Sequence, residues 1–208
     1  MPVDLSRITH PSWSALVISE CQRNVVGDLT NLPALAEAAR PAVANVALLA
    51  TAAREAGVQV IHATALTRAD GKGANVNTRL SAGLKRRIAS GEPPSADPTD
   101  AASVVDEIGI DEADLVLTRL HGMSPMTETG LDPVLRNLGV STLVVTGVSL
   151  NVAIPNLVMD AVNRGYVVVV PTDAVAGTPS EYGEAMLEHT IRYLAYLTTT
   201  AELCRLWS

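Results

Sequence analysis

The residues able to do chemistry in this chain gather in a few short stretches. Glu20-Cys21-Gln22 offers a carboxylate, a thiol and an amide. His62 follows an apolar run, and Arg119-Leu120-His121 sets a permanent cation two residues from an imidazole. Ser149-Leu150-Asn151 leads through Val152 to Ala153, and Pro171-Thr172-Asp173 ends the series. A carboxylate and an imidazole are the ordinary groups of acid–base catalysis, so Glu20 and His121 are candidates for that work. Arg119 either clamps a substrate carboxylate or phosphate through two parallel hydrogen bonds or pairs with a nearby acid such as Glu20. Cys21 is expected to pack under a helix, because neighbouring strand residues point to opposite faces. His62 reads as a rim or core histidine that is also a candidate ligand contact, and Gln22 as a substrate-binding amide.

Each stretch stands where an apolar, β-branched run stops. Runs at 15–19, 58–63, 114–118, 141–146 and 166–170 are near-continuous rather than alternating, as parallel strands covered on both faces are. Helical stretches lie between them: about 33–55, stopped by Gly57; from Asp132 to Gly139; about 152–163, stopped by Gly165; and a last one over about 180–206. Residues 68–100 form a polar, Gly- and Pro-rich excursion with a short helix over about 78–88. The alternation predicts a three-layer α/β/α fold with a central parallel sheet of five or six strands and right-handed crossovers. In an open sheet of this type the ligand lies beyond the carboxyl ends of the strands, where the strand order reverses. That is where the polar groups gather. Ser149, Leu150, Asn151 and Ala153 fall on a strand-to-helix turn, whose backbone amides favour an anion or a developing oxyanion.

Composition narrows the function classes. The chain has 208 residues, 48% apolar and 18% charged, with no uninterrupted apolar run long enough to span a bilayer. It reads as one domain over 1–208, with no basic-then-apolar leader, and so as a cytoplasmic protein. Fifteen Lys and Arg against 22 Asp and Glu leave a net charge of −7, which argues against a nucleic-acid partner. Two cysteines and no Cys-x-x-Cys argue against a disulfide framework. No strand is followed by Gly-x-Gly-x-x-Gly, against a dinucleotide-dependent oxidoreductase. No cofactor, metal or membrane is expected, and the expected partner is a small-molecule substrate.

The strand ends, taken in order, resemble those of the isochorismatase-like (cysteine hydrolase) family. The resemblance is carried by Val17-Ile18-Ser19-Glu20-Cys21-Gln22, by Ser124-Pro125-Met126-Thr127-Glu128-Thr129-Gly130-Leu131, and by Val145-Thr146-Gly147-Val148-Ser149-Leu150-Asn151-Val152-Ala153. Asp160-Ala161, Gly165-Tyr166 and Asp173-Ala174 follow. It implies a homo-oligomer and a cis peptide within the turn, at Ser149-Leu150. It also implies an Asp–Lys–Cys catalytic set, from which this chain departs. Glu20 stands at the Asp position and Ala153 at the nucleophilic Cys position. The Lys position falls on Leu120 by ungapped spacing, or on Arg119 with a one-residue insertion. The metal-binding Asp-x-His pattern of nicotinamidases is not visible. The resemblance therefore implies a hydrolase without a thiol nucleophile, in which Glu20 acts as acid/base on a small carboxylate or cyclic molecule, with Arg119 or His121 assisting. The alternative is a non-catalytic descendant that binds a metabolite or supports an assembly.

Overall fold

The computed structural model describes residues 3–208. After a short α1 (Leu5–Ile8), the chain alternates β1 (Ser14–Ser19), α2 (Pro33–Ala56) and β2 (Gln59–Ala65). The excursion follows, with α3 (Ala82–Ser90) and α4 (Pro98–Ala101). Then come β3 (Leu115–Arg119), α5 (Leu131–Asn137), β4 (Thr142–Val148), α6 (Ala153–Asn163) and β5 (Val167–Pro171). The chain closes with β6 (Val175–Ala176), α7 (Ser180–His189), β7 (Tyr196–Thr198) and α8 (Thr200–Trp207). All strand pairs are parallel, in the order β3-β2-β1-β4-β5-β7, with the two-residue β6 beside β4.

The three-layer architecture follows from which strand residues are apolar. Every residue of β1 and of β4 is buried, so both faces need a cover. One face, including Leu16, Ile18 and Val60, packs on α2 and α8. The other, including Val17, Leu143 and Val145, packs against α5 and α6. Leu35, Ala39, Ala42, Val43, Val46, Leu49, Ala50 and Ala53 lie at three- and four-residue spacing, which gives α2 one apolar stripe. Each such leucine or valine contributes about 1.5–3 kcal/mol by leaving water. Pro41 lies inside α2 on its exposed side, where a missing helix hydrogen bond costs least.

Two expected elements differ. The single helix over 180–206 is two helices separated by a tight turn and β7. Tyr196-Leu197-Thr198 pairs with β5, and the Thr199 side chain accepts from the Glu202 amide to start α8, so sheet pairing outweighs local helical patterning here. The helix of the excursion starts at Ala82 rather than near Thr78, because the Thr78 and Ser81 hydroxyls bond each other and the local backbone. Hydroxyl residues compete with helix in this way.

The functional consequence is the switch point. From β1 the chain continues to β2 on one side, whereas β4 lies on the other. Ser19 registers against Gly147 at the ends of β1 and β4. A Cβ on Gly147 would stand 2.2 Å from the Ser19 carbonyl oxygen, and its φ is +95°. Only glycine permits that approach, so the two strand ends converge.

Candidate active site

Glu20 leaves β1 in the left-handed backbone region, with φ +53°. Its amide donates to the Ala63 carbonyl at 3.0 Å, and its own carbonyl accepts from the Gln22 amide at 2.9 Å. Gln22 holds this turn in place. Its side-chain oxygen accepts from the Ala65 amide at 2.8 Å, and its amide group donates to the Ala65 carbonyl and to Asn24 Oδ1, both at 2.8 Å. It is fully buried and does not line the cavity described below, which corrects its expected role as a substrate contact. Its side-chain amide is spent on Ala65 of β2 and on Asn24, the donor and acceptor pairing that an amide makes with a backbone.

Arg119, the last residue of β3, is 8% exposed. Its Nη2 pairs with the Glu20 carboxylate, and its Nε faces the Gly122 carbonyl at 3.4 Å. Of the two readings of Arg119, the ion pair with Glu20 is the one found. Arg119, not Leu120, points toward Glu20, while Leu120 is 44% exposed. His121 is also exposed and does not line the cavity, contrary to its expected place beside Glu20. β3 is the edge strand, so its outgoing loop first runs over the surface. Gly122, with φ +78°, then turns the chain back, and Gly122 and Met123 reach the cavity wall.

The opposite wall is the bend from β4 into α6. The cis peptide lies at Val148-Ser149, one bond earlier than expected, at the point where Val148 makes its last sheet pairing, with β6. Ser149, Asn151, Val152 and Ala153 line the cavity. Asn151 is locked to Thr178, donating to its carbonyl at 2.7 Å and accepting from its amide at 2.9 Å. Leu150 is 2% exposed and packs toward Gly177 and Gly183 instead. Val152 supplies no side-chain cap to α6. The amides of Asn151 and Ala153 have no hydrogen-bond partner among the described residues, and both stand at the positive end of the helix.

Glu20, Arg119 and this bend enclose one cavity of about 600 Å³, within the size range of small-molecule sites. Its remaining walls are mostly apolar: Val25, Pro33 and Leu35 at the start of α2, Leu80 from the excursion, and Met123. None of these carried a sequence signal. They come from four separate segments, and an isolated Leu or Val looks like any core residue. No cysteine lines the cavity. Cys21 is 3% exposed, and burial with the neighbouring Glu20 charge pushes its thiol up to about 12. Cys204 is on α8, among different neighbours.

His62 is the clearest relocation. β2 continues to Ala65, so His62 lies three residues short of the strand end, on the same face as Val60. It is 1% exposed and its Nε2 is 3.0 Å from Asp114 Oδ2. Arg54 of α2 grips the same carboxylate at 2.6 and 3.2 Å. Burial pushes the His62 imidazole below its usual range, against the opposing pull of Asp114. The Asp114 carboxyl is raised by desolvation, but Arg54, the Asp111 amide and His62 together hold it below the usual carboxylate range. None of His62, Arg54 and Asp114 lines the cavity.

Residues 14–202 match the family model described as the Isochorismatase domain. Ureidoacrylate amidohydrolase RutB of Pseudomonas syringae is 26% identical over 211 residues, covering 95% of this chain and 85% of that protein. The isochorismatase family protein YwoC of Bacillus subtilis is 30% identical over 105 residues, half of this chain and 55% of YwoC, so this match spans about half the length of that relative. A cysteine hydrolase from Pseudomonas syringae pv. phaseolicola has the same fold, with a TM-score of 0.77 and 24% identity over 100% of this chain and 95% of that one. With the parallel sheet, the converging β1 and β4 ends and a family match across nearly its whole length, the chain belongs to the isochorismatase family of hydrolases.

Proposed function

We propose that this protein hydrolyses a small molecule without a cysteine nucleophile, using Glu20 as acid/base. The observation that carries the reading is convergence: Glu20, Arg119 and the unpartnered amides at the start of α6 face one cavity, while neither cysteine does. The Ala153 methyl leaves nothing to attack an electrophile from the α6 start, so water is the nucleophile. The Glu20 carboxylate takes a proton from that water. The hydroxide adds to the electrophilic carbon, and the oxygen that gains charge meets the Asn151 and Ala153 amides. Glu20 then returns the proton to the leaving group. Arg119 stays charged throughout, because a guanidinium does not give up its proton near neutrality. Its task is to hold Glu20 in position. Gln22 acts through Glu20, as the clamp on its turn.

RutB, a relative over most of the chain, is named as an amidohydrolase, so small amides lead the substrate panel and vinyl ethers complete it. Glu20→Gln removes the base, and turnover is expected to fall at least about 100-fold, the usual worth of a positioned acid/base. The second reading, a non-catalytic binding protein, draws on the ion pair that already engages Glu20. It is favoured if the wild type turns over nothing in the panel, or if Glu20→Gln leaves the rate unchanged.

A further inference from the structure

We infer that the cavity takes an uncharged, mostly apolar small molecule and discriminates against carboxylates. This rests on the cavity being the ligand site of the proposed hydrolase and names its substrate class. The argument is charge balance. Among the described residues, Glu20 and Arg119 are the only ionisable side chains in the lining, and they neutralise each other. Arg119 is largely committed within the protein: an Nη2 hydrogen is on Glu20 and Nε is on Gly122, while Nη1 is buried and without a partner. Asn151 is likewise committed on both sides to Thr178.

A carboxylate entering this site would lose its hydration and find no free cation, while Glu20 repelled it. Desolvating an ion without a partner is strongly unfavourable. Arg79, beside the rim residue Leu80, is exposed to water, where its field is screened within about 10 Å. What remains for a ligand is an apolar wall, the second Glu20 oxygen, the Asn31 side-chain amide, the Ser149 and Thr178 hydroxyls and two backbone amides. That set suits a neutral carbonyl compound: its oxygen takes the amides and its N–H or O–H meets Glu20. An anion-binding helix start is therefore coupled here to a carboxylate that reserves it for neutral oxygen.

Three probes of one shape separate the possibilities: benzamide, benzoate and benzamidinium, titrated by NMR against the full-length protein. Wild type is expected to bind benzamide at least about tenfold more tightly than either ion. Glu20→Gln leaves the Arg119 charge unopposed, so benzoate is expected to gain about tenfold or more while benzamide changes little. Ala153→Leu, which crowds the amide-lined bend, should weaken benzamide binding at least about tenfold. Benzoate binding wild type as well as benzamide does would overturn the inference. So would an absent response of benzoate to Glu20→Gln, benzamide binding undiminished by Ala153→Leu, or no benzamide binding up to about 20 mM. The two proposals fail separately. The expected binding order without turnover sinks only the hydrolase, and Glu20-dependent turnover of a carboxylate substrate sinks only the neutral-ligand assignment.

Discussion

Two arginine–carboxylate pairs flank β2 and β3, and they have different surroundings. Arg54–Asp114 carries His62 with it, and the Asp114 and His62 side chains are both 1% exposed. Arg119–Glu20 is also largely buried, but Glu20 keeps 18% of its side chain exposed, toward the cavity. Judged by titratable groups alone, the first cluster is the richer site, because it holds an imidazole against a carboxylate. Its carboxylate, however, is saturated by Arg54, by His62 and by the Asp111 amide, and nothing can reach it. Access, more than the number of ionisable groups, distinguishes the candidate active site from the structural cluster. Perturbed groups mark function only where a ligand can meet them.

The sharpest way to break that contrast is to exchange the consequences of mutation. Glu20→Gln is expected to remove at least about 100-fold of turnover per folded molecule, and also to lower the melting temperature, because it leaves the largely buried Arg119 unopposed; calorimetry beside a kinetic assay reads both. Asp114→Ala should lower stability alone. Stranding Arg54 in a buried setting is expected to cost about 3–5 kcal/mol in denaturant titrations, with activity per folded molecule retained. If Asp114→Ala abolished turnover at full stability, the two clusters would have to be read as one functional unit.

The pH dependence sharpens the same comparison at smaller amplitude. His62 is held neutral by burial, so its folded-state pKa lies below the ordinary 6.5. The unfolded chain then binds more protons near that pH, and stability rises with pH there. Wild type should lose stability as pH falls below about 6.5, and His62→Gln should lack that part of the decline when melting is followed between pH 7.5 and pH 5, a range of about two to three units around the imidazole pKa. A decline of equal slope in the variant would assign it to other groups. The smallest effect belongs to His121. As an exposed side chain outside the cavity, its replacement by Ala should leave stability within about 0.5 kcal/mol and turnover within about twofold of wild type. A tenfold loss would return His121 to the mechanism.

Much of the fold was legible because parallel strands buried on both faces leave continuous apolar runs. The runs at 15–19 and 141–146 correspond closely to β1 and β4. The same patterning drew attention to Glu20, directly beyond the first run, and to the turn leading to Ala153 after the fourth. His62 was misplaced because an apolar run does not say where pairing ends. β2 extends through Ala65, and that two-residue extension separates a strand-end histidine from a mid-strand one. β7 was missed because three residues cannot declare a strand until β5 offers them an edge. Gln22 and Leu150 were assigned to the ligand by proximity in sequence, yet Gln22 is spent on Ala65 and Asn24, and Leu150 packs toward Gly177 and Gly183.

Alone, the order of residues determined the layered sheet, the glycine at position 147, and the identities of Glu20 and Ala153, because these depend on local patterning and on identity at single positions. Only the tertiary structure decided that Arg119 spends its charge on Glu20, that His62 serves a buried cluster, and that Val25, Leu35, Leu80 and Met123 form one apolar wall. Pairing, burial and access are relations between segments tens of residues apart. They exist only once the chain has closed around them.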